Sequence, residues 1–122
     1  MAEKTPVTTG TIVRTNDFAD RYANSVTLES SVWDLKMLFG TLDQTPGPES
    51  VRQHTAMHVT WAQAKLLSFF LQANLMFHEA ANGTIRIPEG AMPPPIDPAE
   101  PVWSFPDAAN MIEKLAKLRS EL

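Results

Sequence analysis

The sequence predicts an α+β fold: a three- or four-stranded antiparallel sheet packed by one long helix, then a proline-rich crossover and a C-terminal helix. Three observations carry this. Three runs between residues 22 and 59 alternate apolar and polar side chains with period two. A following run, residues 60–82, repeats its apolar residues at helical spacing. Residues 88–101 then hold six prolines, which fit neither pattern.

Residues 1–16 have few large apolar side chains, only Val7, Ile12 and Val13 among Thr, Lys and Pro6, so they read as a mobile arm. Residues 11–14 are the one part of it able to add a short strand at a sheet edge. Residues 22–28 alternate, with Tyr22, Asn24, Val26 and Leu28 on one side and Ala23, Ser25 and Thr27 on the other. A turn at Ser30-Ser31 leads into Trp33, Leu35, Met37 and Phe39 on one face, opposed by Asp34, Lys36 and Leu38 and stopped by Gly40. The two runs are expected to pair as a hairpin. Residues 43–50, with Pro46, Gly47 and Pro48, form a loop. The third run places Val51, Thr55, Met57 and Val59 inward and Arg52, His54, Ala56 and His58 outward. Connections this short favour antiparallel pairing.

Thr60 with Gln63 forms a capping box that starts the helix, and Gly83 suits the left-handed residue that closes it. Stepping about 100° per residue from Trp61 gathers Leu66, Phe69, Phe70, Ala73 and Phe77 in one arc and Ala64, Leu67, Leu71 and Leu75 in a second. One sheet face can bury only one arc. Residues 84–87 read as a brief strand. Val102, Trp103 and Phe105 interrupt the proline tract as anchors. Asp107 is the expected N-cap of a last helix whose stripe is Ala108, Met111, Ile112, Leu115, Leu118 and Leu122. The organisation is thus a single domain overall: an arm (1–16), a sheet and long-helix core (17–87), a proline-rich crossover (88–106) and a C-terminal helix (107–122).

Composition narrows the function classes. At 122 residues the chain can bury a core without staples, and with no cysteine it has no disulfide, thiolate metal site or thiol nucleophile. Residues 1–16 hold no continuous apolar core of the length a secretory signal uses, and no apolar run reaches the length of a membrane span, so a cytoplasmic location is expected. A formal net charge of −4 with scattered Lys and Arg gives no grip on nucleic acid. His54 and His58 would lie about 13 Å apart at roughly 3.3 Å per strand residue, too far to share a metal. Asp17, Asp20, Asp34, Glu49 and Glu79 form no spacing that brings two carboxylates to a His or Lys. No catalytic, cofactor-binding or metal-ligating residues are expected, and no cofactor. His78 falls beside the second helical arc.

Tyr22-Ala23-Asn24, Trp33-Asp34-Leu35, Phe39-Gly40 and Thr60-Trp61-Ala62-Gln63-Ala64-Lys65-Leu66-Leu67 together resemble a family of short bacterial proteins known only as a domain of unknown function. The resemblance covers about residues 20–79. Trp61 stands where the family pattern has Pro, and Ala62-Gln63-Ala64 where it has Gln-His-Ala. It implies no catalytic residues. Gly83-Thr84, Pro101-Val102 and the segment from Phe105 to Ala108 are more faintly similar to the SecB-like export chaperones. That similarity implies association through sheets and helices and apolar grooves for unfolded clients.

The function these readings favour is a noncatalytic homo-oligomeric protein- or peptide-binding module, dimer or tetramer, chaperone-like in the SecB sense. Its partners would be itself and an unfolded or extended peptide, with no nucleic acid and no membrane. Leu67, Leu71, Leu75 and His78 are the candidate oligomer interface, and Trp33, Trp61, Trp103 and Phe105 the candidate peptide groove. The alternatives are a small ligand-binding or enzymatic domain using Tyr22, Asn24, His54 or His58 around an interface pocket, and a scaffold component of a phage or toxin system.

Overall fold

A computed structural model describes residues 10–43 and 49–122. The expected arm therefore lies outside the described residues over 1–9, and the loop over 44–48. The fold is α+β, with a three-stranded antiparallel open sheet and two helices. It is divided into two units, Met1–Phe70 and Leu71–Leu122.

In the first unit β1 (Ser25–Ser30), β2 (Asp34–Asp43) and β3 (Ser50–Thr60) lie in the order β1-β2-β3, so β2 is central. Val26 opposes Phe39, Leu28 opposes Met37, and Ser30 opposes Leu35 across the first ladder. Leu35 opposes Val59, Met37 opposes Met57, and Phe39 opposes Thr55 across the second. One face of the sheet is therefore apolar, and Glu29, Lys36, Asp34 and His58 lie on the other. The segments 11–14 and 84–87 add no strand, and β1 opens at Ser25 rather than at residue 22.

Gly40 does not stop β2. The strand runs on to Asp43, and the ladder slips between Phe39 and Gly40, where Thr55 and Gln53 are the successive partners and His54 is the extra residue of a β-bulge. A Cβ on Gly40 would lie 2.5 Å from the Arg52 carbonyl oxygen and 3.0 Å from the Gln53 Cα, so the bulged strand crosses where only glycine leaves room. The extra residue also inverts the alternation beyond it. Val51, expected with Thr55 and Met57, instead opposes Leu42 and shares the face of Leu38.

β3 passes into α1 (Trp61–Asn82) with no intervening residue. The Thr60 hydroxyl accepts the Gln63 N–H at 3.2 Å, the forward arm of the capping box. Within the second unit, Gly83 adopts φ 92° and its N–H reaches the Glu79 carbonyl at 2.9 Å, closing α1 as the sequence requires. The Glu79 carboxylate then accepts the Ile85 N–H at 2.8 Å. The proline-rich stretch contains two 3-10 turns, Glu89–Ala91 and Pro101–Trp103, and its Pro93 carbonyl receives the Arg119 guanidinium at 2.8 Å. α2 (Ala108–Ser120) follows Asp107, which sits at the cap position with φ 65°. The Asp107 side chain makes no cap bond there; its carbonyl accepts the Asn110 and Met111 N–H groups instead.

No residue of α1 is buried, and in α2 only Ala108 is. That is the feature of this chain that most needs an explanation.

Candidate functional site

The first unit has two built features, at opposite ends of the apolar sheet face. At one end lies the bulge. The His54 and Thr55 side chains, neighbours in sequence, are joined between Nδ1 and Oγ1 at 2.7 Å, which regular strand alternation would forbid. The bulge thus turns His54 to the apolar face instead of the polar one expected for it. Its Nε2 lies 2.9 Å from the Tyr22 carbonyl; a carbonyl only accepts, so Nε2 carries the proton. The Asn24 N–H donates to the Gly40 carbonyl at 3.1 Å, and its Oδ1 accepts the Leu42 N–H at 2.7 Å. The chain leading into β1 is held across the end of the sheet by these bonds. It walls a half-open groove of about 720 Å³ against Phe39, Thr55 and Met57, with Asp17, Phe18 and Arg21 among its wall residues. The Thr15 hydroxyl donates to Asp17 at 2.6 Å and, with the residue's own backbone N–H, holds that carboxyl below its ordinary range.

At the other end lies the β1–β2 turn. The Ser31 hydroxyl accepts the N–H groups of Trp33 and Asp34 at 3.1 and 3.0 Å and lies 3.0 Å from the Asp34 carboxylate. The Ser31 carbonyl accepts the Trp61 indole N–H at 2.9 Å, tying the first residue of α1 to the turn. Asp34 also reaches His58 Nδ1 at 3.2 Å. Trp33 and Trp61, both named for a peptide groove, therefore flank one serine, and Trp33 stands 86% exposed at the tip. In the second unit Trp103 and Phe105 pair with ring centroids 6.2 Å apart.

Of the residues named for an oligomer interface, Leu71, Leu75 and His78 line an open groove of about 640 Å³ with Asn74, Phe77 and Ile85. Leu67 lies one turn earlier on α1 and is half-buried. His78 is bonded through its carbonyl to the Asn82 amide at 3.1 Å.

The groups named for a ligand pocket do not converge on one centre. The Tyr22 carbonyl, the Asn24 amide and both nitrogens of His54 are bonded to the fold, while His58 pairs separately with Asp34. Among the described residues no cluster of His, Asp or Glu could hold a metal, and no helix is long and apolar enough to cross a membrane. Ser31, Gly40 and the bulge are the structural residues that the sequence pattern did not single out for these tasks. The Ser-x-x-Asp spacing of the turn was the available signal for Ser31.

What the geometry defines is a small open-sheet α+β chain whose built features organise apolar surface. The chain belongs to the family described as "Protein of unknown function (DUF3467)", which matches residues 1–87. No curated protein and no solved structure matches it, so the fainter likeness to the SecB-like chaperones gains no support.

Proposed function

We propose that this protein is a noncatalytic, homo-oligomeric protein-binding module. One observation carries the reading: Trp61, Leu66, Phe69, Phe70, Leu71, Leu75, Met76 and Phe77, all on α1, are 44% to 75% exposed. Taking about 200 Å² per large side chain, these leave roughly 900 Å² of apolar surface, divided between the two arcs of the helix. Monomeric proteins seldom carry an apolar patch beyond roughly 300–600 Å², whereas each side of a standard interface buries about 800 Å². A second copy of the chain is the partner suited to cover such an arc. Leu67, Leu71, Leu75 and His78 belong to this surface. Exposed Trp33 and the Trp103–Phe105 pair add apolar contacts suited to an extended peptide.

Native mass measurement of the purified chain at micromolar concentration tests the reading, with a dimer or tetramer expected. Leu71→Glu should give a monomer or an insoluble chain. A wild-type monomer at that concentration would sink the proposal. For peptide binding, a reduced, unfolded client should be kept from aggregating at stoichiometric amounts of the oligomer, and failure across several clients would remove that part alone.

A further inference from the structure

We infer that the uncovered apolar face of the sheet is the seat for α1 of a second copy, exchanged reciprocally between the two. The inference rests on the self-association proposed above and names its geometry.

The chain carries two apolar surfaces that suit each other. On the sheet, Val26, Leu28 and Met57 are exposed beside half-buried Leu35, Met37 and Val59. The row from Leu35 to Phe39 runs about 13 Å at roughly 3.3 Å per residue. On α1, the arc from Leu66 through Phe69, Phe70 and Ala73 to Phe77 runs about 16 Å at 1.5 Å per residue. Both surfaces are apolar.

The connection keeps the part of α1 in the first unit from lying back over its own sheet. Reversing a strand into a helix that lies back over its own sheet takes a loop, commonly of two to six residues. Here Thr60 ends β3 and Trp61 begins α1, with no residue between. The first turn of α1 is also fixed beyond the end of the sheet, because the Trp61 indole is bonded to the carbonyl of Ser31 in the β1–β2 turn. Leu66, Phe69 and Phe70, on the part of α1 that belongs to the first unit, accordingly remain exposed.

A second copy related by a two-fold axis escapes this restriction. Its helix approaches the face from outside, and the same operation returns the favour, so both sheets and both helices are covered by one isologous contact. The segment around residues 15–23 borders the Phe39 end of the face, so the seat is centred on Leu28, Met37 and Met57, with Leu35 and Val59 beyond them.

The test needs no substitution. Chains carrying labelled methionine methyls are co-refolded with chains carrying labelled phenylalanine rings, and intermolecular nuclear Overhauser effects are recorded. Contacts from the Met37 and Met57 methyls of one copy to the Phe69 and Phe70 rings of the other are expected. An oligomer showing contacts only between helices would overturn the inference while leaving self-association intact; a monomeric mass would remove both. As a second readout, the cysteine-free chain allows Met37→Cys and Phe70→Cys chains to be mixed and oxidised. A disulfide joining the two variants should dominate, and predominance of the Phe70→Cys homodimer would contradict the exchange.

Discussion

Gly40→Ala is the sharpest probe of the sheet. The added methyl would lie 2.5 Å from the Arg52 carbonyl oxygen, 2.9 Å from its carbon and 3.0 Å from the Gln53 Cα, all backbone atoms of the neighbouring strand. None can rotate away as a side chain tip would. Relief requires moving β3 at the bulge, which carries His54 and, through it, the bond to Tyr22. Inserting a methyl into a packed site costs about 1–3 kcal/mol, and the absence of any flexible neighbour places this case near the upper end. A loss of about 3 kcal/mol lowers the folding equilibrium constant by roughly two orders of magnitude. Urea unfolding at one fixed chain concentration measures it, because association would otherwise shift the midpoint. Gly90→Ala is the control, since nothing lies within 4 Å of the position its Cβ would take. Its effect should stay within about 0.5 kcal/mol. If the two variants unfold at the same urea concentration, the bulge does not require glycine and the account of the register is wrong.

Other perturbations follow from the same contacts. Trp61→Phe removes the indole bond to Ser31 and should cost about 1 kcal/mol in urea unfolding; no change would mean that the tie between turn and helix contributes nothing. Thr60→Ala strips the forward arm of the cap and should cost about 1 kcal/mol, whereas Thr60→Ser should retain most of it. Gly83→Ala forces a Cβ into the left-handed region and should cost about 1 kcal/mol, read against Gly90→Ala. The Asp17 carboxyl is lowered by the Thr15 hydroxyl, so folding favours its charged form. That contribution is present above the ordinary carboxylate range near 4 and fades as pH falls through the lowered value. Carbon-detected titration should find Asp17 below that range in the native chain and shifted up toward it in Thr15→Val, and an unchanged titration would discount the bond.

Much of the fold was legible because burial periods are local. Alternation located three strands and paired them, and Thr60, Gln63 and Gly83 marked both ends of α1 through the chemistry of its unpaired amides and carbonyls. The departures in side-chain facing along β3 have one origin. Alternation assumes an unbroken period of two, and the extra residue at His54 moves Val51 and His54 to the faces opposite those expected. Glycine at residue 40 has the local signature of a strand end, whereas the close approach of Arg52 that demands it depends on a partner strand 12 residues away in the sequence. Residues 84–87 have strand-like side chains but form no strand, and the Ile85 N–H goes to Glu79. At the candidate site, the two-sided apolar character of α1 was visible in the residues themselves. The tie from Trp61 to Ser31 was not, because it joins positions 30 residues apart through a backbone carbonyl that any residue possesses.

The three tryptophans occupy very different settings, and this makes the chain its own optical gauge. Trp33 juts from the hairpin tip, Trp103 rests against Phe105, and Trp61 bridges strand turn and helix start. With Trp33 and Trp103 replaced by phenylalanine, the remaining indole reports, through the wavelength of its emission, on the junction where β3 passes into α1. Its blue shift or quenching on a change of concentration, partner or temperature would register that junction without any attached dye.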